Sequence, residues 1–280
     1  MSLMSSGSLR TLPAAGPARW LFSFDYDGTL RGGDETPPVS REFFELMSAW
    51  REEFGVRWGI NTGRSINYLM EEYNAIAPFA PDFAVTCERY IHTAAPGARL
   101  LPDLRHNALC LDEHEKIFRR YHEKLEHLFT RLQEEFSSCR WNRAPGDPHS
   151  IEAETPGVLE LFMPYIHRLL AECPGLSAQR TGPYLRFCHA SFNKGTSLRR
   201  IADAWGISTE RILIMGDGHN DLDAFRLFPR ALQACPANSH PEILAYAEKH
   251  GVYISSRPEH RAVLDVLVSL VRPVLQNPAH

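Results

Sequence analysis

Several things are scarce in this 280-residue chain, and each scarcity removes a class of protein. The six cysteines (Cys87, Cys110, Cys139, Cys173, Cys188 and Cys235) contain no Cys-x-x-Cys pair. That spacing argues against a zinc site or a disulfide framework and for reduced thiols, as in a cytoplasmic protein. No run of about 18 apolar residues occurs, so no membrane-spanning helix is expected. A net charge of −4 supplies no electrostatic footprint for nucleic acid. The basic pairs Arg119-Arg120 and Arg199-Arg200 read as solvated helix faces. Thirteen histidines form no His-x-x-x-His pair on an apolar-periodic helix, and there is no internal repeat.

What is present is a globular composition, 44% hydrophobic and 23% charged, long enough to bury a core in one large domain or two modest ones. Residues 1–18 are rich in small side chains, lack the apolar centre of a signal peptide, and read as a flexible N-terminal tail. From Arg19 the pattern alternates. Arg19 to Asp25 is a buried strand and Val39 to Glu53 a helix capped by Ser40. Val56 to Ile60 is a strand, a helix follows Ser65, and Asp82 to Thr86 is a third strand. Such alternation predicts a Rossmann-like, doubly wound parallel α/β sheet.

The alternation pauses between residues 88 and 189. That stretch offers a long amphipathic helix (Ile117, Phe118, Tyr121, Leu125, Leu128, Phe129, Leu132 and Phe136 on one face) and a Pro/Gly-rich stretch at Ala144 to Pro148. A strand near Ser150, a helix over Gly157 to Glu172, and a hairpin of Leu176–Arg180 with Tyr184–His189 follow. We read it as an inserted α+β domain. Residues 19–87 and 190–280 then form the α/β core, where the alternation resumes with a helix from Lys194, a strand at Arg211 to Met215, and four further elements.

Three expected strands end in polar, small-residue loops: Asp25-Tyr26-Asp27-Gly28-Thr29, Thr62-Gly63-Arg64 and Gly216-Asp217. Taken alone, Asp-Gly is an ordinary turn signal, Lys194 an ordinary helix-start lysine, and Asp217 or Asp221 an ordinary helix cap. Together they fall where open α/β sheets place ligands, outside the carboxyl ends of the strands. Two acidic loops in one pocket repel unless a cation sits between them, and Mg2+ matches all-oxygen donors. A carboxylate there can attack phosphorus, with the Thr62 hydroxyl and the Lys194 ammonium offering contacts to a phosphoryl group.

Phe24-Asp25-Tyr26-Asp27-Gly28-Thr29-Leu30, Asn61-Thr62-Gly63-Arg64, Asn193-Lys194-Gly195 and Gly216-Asp217-Gly218-His219-Asn220-Asp221 resemble, in order and spacing, the four motifs of the haloacid dehalogenase superfamily. The insert resembles the C2-type cap of its Cof-like and sucrose-phosphate-phosphatase-like branch. The resemblance implies Asp25 as nucleophile, Asp27 as general acid and base, and Asp25, Asp217, Asp221 and the Asp27 carbonyl as the Mg2+ site. Thr62, Gly63, Lys194 and Asn220 match its phosphate-binding positions. Cys87-Glu88-Arg89 stands where such relatives often carry Asn-Gly, which affects leaving-group contacts. Arg64, Glu88, Arg89, Arg180, Tyr184 and Arg186 are the candidate substrate contacts, although each also reads as an ordinary surface residue.

The expected activity is hydrolysis of a phosphate monoester of a small metabolite, a sugar phosphate first, through a phospho-aspartate on Asp25, with no nucleic-acid or membrane partner. A phosphomutase or phosphotransferase using the same first step, and a non-catalytic phospho-ligand-binding domain, stay open as alternatives.

Overall fold

A computed structural model describes residues 16–33, 37–95, 99–136, 139–142 and 149–277. Most of the expected tail and the stretch at 144–148 lie outside the described residues. In chain order, the first elements are β1 (Trp20–Phe24), α1 (Arg41–Phe54), β2 (Val56–Asn61), α2 (Ile66–Ile76), β3 (Phe83–Thr86), β4 (Tyr90–Ala95) and β5 (Arg99–Pro102). Next come α3 (Leu104–Arg120), α4 (His122–Glu135), β6 (Arg140–Asn142), β7 (Ser150–Glu152), α5 (Pro156–Glu172), β8 (Leu176–Thr181) and β9 (Tyr184–His189). The last are α6 (Lys194–Trp205), β10 (Ile212–Met215), α7 (Leu222–Leu227), β11 (Leu232–Cys235), α8 (Pro241–His250), β12 (Tyr253–Ile254), α9 (Glu259–Val266) and α10 (Arg272–Gln276). A π-type segment, Leu267–Val271, joins α9 to α10.

Among the described residues, those up to Asp103 together with those from Lys194 onward form one compact unit, and those from Leu104 to Asn193 form another. The first unit holds an eight-stranded sheet in the order β12-β11-β10-β1-β2-β3-β4-β5. It is parallel from β12 to β3 and antiparallel across β4 and β5. Side chains of β1 alternate between two buried layers, as a period of two requires. Trp20, Phe22 and Phe24 enter a core with Phe43, Trp50, Trp58 and Val263. Leu21 enters the opposite core with Ile212, Ile214, Leu198 and Ile243. Aromatic edges lock the first layer, with Phe43 against Trp58 at 5.0 Å between ring centres and against Phe24 at 5.5 Å.

The caps follow local chemistry. Ser40 Oγ accepts from the Phe43 N–H at 3.3 Å, and Gly55 ends α1 with φ 71°, a left-handed conformation that glycine adopts without a Cβ penalty. The second unit packs α3, α4 and α5 on an antiparallel sheet ordered β6-β7-β9-β8, around Leu125, Phe129, Ile151, Phe162, Ile166 and Phe187.

Two expectations need correction. The insert begins at Leu104 rather than at residue 88 and ends at Asn193 rather than 189, because β4 pairs with β3 and β5 with β4, both antiparallel, which extends the core sheet. The single long amphipathic helix is two helices, α3 and α4, broken at Tyr121, where φ is −111° and ψ 17°. The Tyr121 hydroxyl donates to the Pro174 carbonyl at 3.0 Å, which anchors the break, and the apolar face continues across it.

Gly59 of β2 lies opposite Phe83 of β3, and a Cβ there would stand 2.4 Å from the Phe83 carbonyl oxygen and 2.5 Å from its ring. Gly59→Ala is expected to cost about 1–3 kcal/mol through overpacking. Urea denaturation checks this, and an unchanged midpoint would show that the two strands can part freely.

Candidate active site

β1 sits at the centre of the sheet, with β2 on one side and β10 on the other, so the loops leaving these three strands meet at one edge. The Asp25 N–H donates to the Met215 carbonyl at 2.8 Å, which ties the ends of β1 and β10 in register. Asp25, Asp217 and Asp221 present carboxylate oxygens that all lie within 4.8 Å of one another. Lys194, at the first turn of α6, is fully buried, and its ammonium donates to Asp25 Oδ1 at 2.7 Å and to Asp221 Oδ1 at 2.8 Å. Thr29 Oγ1 donates to Asp217 Oδ1 at 2.7 Å.

Glycines make room for this cluster. At Gly28, which has φ 76°, a Cβ would stand 2.6 Å from Asp217 Oδ2, and at Gly216 it would stand 2.1 Å from the Asp221 carboxyl carbon. Hence Asp-Gly after β1 and Gly-Asp after β10 are packing requirements as much as turn signals.

Burial disfavours the Lys194 ammonium, but Asp221 and Asp25 outweigh it and hold the group well above its ordinary value. Three acids against one ammonium still leave negative charge in excess. Burial first, then repulsion from Asp25 and Asp221, pushes Asp217 up to about 8. Burial, opposed by Lys194 and reinforced by Asp25, pushes Asp221 up to about 7. The donor set is all oxygen and carries surplus charge, which fits a hard divalent cation such as Mg2+.

Asp27 stands apart from this trio. Its side chain is exposed and takes both forks of Arg64, Nε to Oδ2 and Nη2 to Oδ1, each at 2.6 Å. Arg64 also pairs with Glu72, which in turn pairs with Arg31. Its carboxylate is not among the three that gather around Lys194. Thr62 is buried at the end of β2, and its Oγ1 accepts from the Arg64 N–H at 3.2 Å. Asn61 Nδ2 donates to the Lys194 carbonyl at 3.1 Å, linking the β2 end to α6. Asn220 is buried, and its Nδ2 donates to Glu88 Oε1 at 2.7 Å, with Gly63 packed against that carboxylate.

Arg89 is buried over the Tyr90 ring at 4.9 Å, so it is enclosed in the core unit rather than displayed. Arg180, Tyr184 and Arg186 belong to the second unit. There Arg180 pairs with Glu160 at 2.7 Å, and Arg186 lies over the Tyr184 ring at 5.4 Å. The sequence reading missed Thr29, Asn61 and Glu72 as site residues. Thr29 was legible beside two acids, whereas Glu72 carries no local signal, because only folding brings α2 beside Arg64.

The polar cluster lies outside the carboxyl ends of the central strands, where open α/β sheets place their ligands. The chain belongs to the haloacid dehalogenase-like hydrolases: the family model matches residues 112–267, more than half of its length. Similar solved structures include the sucrose-phosphatase from Synechocystis sp. PCC6803 in complex with sucrose and phosphate. It is 17% identical with a TM-score of 0.65, covering 90% of this chain and 97% of that one. Another is yhjK, a haloacid dehalogenase-like hydrolase protein from Bacillus subtilis, 16% identical with a TM-score of 0.63 and coverage of 94% and 96%. A third is BT1666 from Bacteroides thetaiotaomicron, 17% identical with a TM-score of 0.59 and coverage of 91% and 96%. At these identities the likeness establishes a shared fold. No curated protein matches the chain in sequence.

Asp217 and Asp221 hold protons in the folded chain at pH values where they are ionised in the unfolded one. Their contribution to stability therefore falls as pH rises from the ordinary 3.8 through about 8. A bound cation reverses that loss. Millimolar Mg2+ is expected to raise Tm by about 2–5 °C at pH 8.5 and by less at pH 6. Differential scanning fluorimetry reads this, and an identical Tm with Mg2+ and with EDTA at both pH values would rule out cation binding by these acids.

Proposed function

We propose that this hydrolase cleaves phosphate monoesters of small metabolites through a phospho-aspartate on Asp25. The observation that carries the reading is the buried Lys194 ammonium held between Asp25 and Asp221, with Asp217 beside them, at the adjoining ends of β1 and β10. Lys194 fixes the Asp25 carboxylate and presents positive charge where a phosphoryl group would arrive. Thr62 lies buried just after β2, and Asn220 directly precedes Asp221 in the loop after β10.

In the first step an Asp25 oxygen bonds to phosphorus. The P–O bond to the ester oxygen breaks, and the departing oxygen takes its electron pair and a proton from Asp27. In the second step water attacks the same phosphorus and gives its proton to Asp27, while the Asp25–phosphorus bond breaks to release inorganic phosphate. Mg2+, bound by Asp25, Asp217, Asp221 and the Asp27 carbonyl, would supply positive charge against the phosphoryl oxygens. Asp27 must carry a proton in the first step, so its bidentate contact with Arg64 has to open or be shared with the incoming phosphate. Arg64 is thereby the residue that governs when Asp27 can act.

The sucrose-phosphatase shares this fold over nearly its whole length, which makes sugar phosphates the first class to assay. The six cysteines form no disulfide with one another, in keeping with a cytoplasmic setting. Among the described residues no helix is long and apolar enough to cross a membrane.

Phosphate release from a panel of sugar phosphates, nucleotides and 4-nitrophenyl phosphate, with Mg2+ or EDTA, tests the proposal. Asp25→Asn is expected to lower kcat at least about a thousandfold with the fold intact, since an amide cannot serve as the nucleophile. Asp27→Asn slows both steps, and Lys194→Ala lowers kcat by about 10²–10³. Wild-type turnover by Asp25→Asn would refute the covalent route. Release only in the presence of an added acceptor would favour a phosphotransferase.

A further inference from the structure

The turn between β3 and β4 concentrates backbone strain beside the site. Cys87 and Glu88 are consecutive non-glycine residues with φ of 48° and 66°, a left-handed conformation that a Cβ disfavours. Main-chain bonds hold them there. The Cys87 N–H donates to the Arg64 carbonyl at 2.8 Å, and the Glu88 N–H to the Thr62 carbonyl at 2.9 Å. The turn is thus fastened to the loop that carries Thr62 and Gly63.

The same conformation drives the Glu88 side chain inward, where it is 3% exposed. Its Oε1 accepts from Asn220 Nδ2 at 2.7 Å and lies 3.3 Å from where a Cβ on Gly63 would stand. Oε2 is buried and meets no donor among the described residues, and no cationic side chain there is paired with this carboxylate. A half-satisfied buried carboxyl group on a strained backbone is unfavourable for folding. Selection for stability alone would favour glycine or asparagine in these two positions. Glu88 is also poorly suited to touch the phosphoryl group itself, because a carboxylate repels it and Oε2 is enclosed by protein.

We propose that Glu88 is a positioning residue. It couples the Thr62–Arg64 loop, through its own main chain, to the Asn220 amide, through its carboxylate. By accepting from Nδ2 it fixes which end of the amide faces it and keeps Asn220 oriented toward the incoming phosphoryl group. This rests on the phosphatase reading for its catalytic consequence, but the orientation itself is readable from anion binding.

The experiment combines Glu88→Ala, Glu88→Gln and Asn220→Ala in a double-mutant cycle. Readouts are kcat and KM for 4-nitrophenyl phosphate, Kd for orthovanadate, and Tm. Glu88→Ala is expected to lower kcat/KM and weaken vanadate binding by roughly 10–100-fold without lowering Tm. Glu88→Gln, whose amide oxygen can still accept from Asn220, restores most of both. In the Asn220→Ala background, Glu88→Ala adds no further loss. Additive losses, an unaffected Glu88→Ala, or a Glu88→Gln as impaired as Glu88→Ala would each overturn the proposal. Should Glu88→Ala fail to fold, Glu88→Gly removes the carboxylate and the strain at position 88 together and serves the same cycle. A wild-type protein that binds vanadate without hydrolysing 4-nitrophenyl phosphate would defeat the phosphatase reading, while the vanadate constants still decide the role of Glu88.

Discussion

The arrangement depends on one buried ammonium. Lys194 is wholly enclosed, and its three protons have two carboxylates within 2.8 Å. Removing such a cation would leave at least three acids crowded in a low-dielectric pocket, whereas removing the acids would strand the cation. The ion pair therefore holds α6 against the ends of β1 and β10. Three carboxylates face this single ammonium, an all-oxygen donor set of the kind that suits a hard divalent cation.

Strand order and glycine placement make this cluster geometrically possible. β1 has β10 on one side and β2 on the other although most of the chain lies between β2 and β10 in sequence. The reversal opens the crevice that open α/β sheets use for ligands. Gly28 and Gly216 then let the β1 and β10 loops approach until carboxylates nearly touch backbone. Arg64 and Glu72 form a separate, more exposed network that holds Asp27 at the rim. The site thus has a buried half around Lys194 and a more accessible half around Asp27.

Much of this was legible in the residues. The β1, β2, β10 and α6 segments carry dense apolar runs or clean helical periodicity, each ending in a polar loop, so both fold class and acidic cluster could be read from them. The hairpin β4–β5 was not legible, because its side chains only partly face a core and it pairs with β3 rather than opening the insert. The break at Tyr121 was hidden for another reason: the apolar face runs through it, and the anchoring partner Pro174 is 53 residues away. Glu88 meets Asn220 across 132 residues, and Glu72 meets Arg31 across 41 although Arg64 is only 8 away, so only the Arg64 contact lies within reach of a local pattern.

The central claim is that Asp25 becomes transiently bonded to phosphorus. It is met most directly by quenching the enzyme during turnover of a phosphate monoester and reducing it with borohydride, followed by peptide mass spectrometry. An acyl phosphate is reduced to the alcohol with loss of phosphate, so the account predicts homoserine at position 25 and at no other aspartate. Reduction at a different carboxylate, or an unmodified position 25 under quench conditions that preserve acyl phosphates, would contradict it.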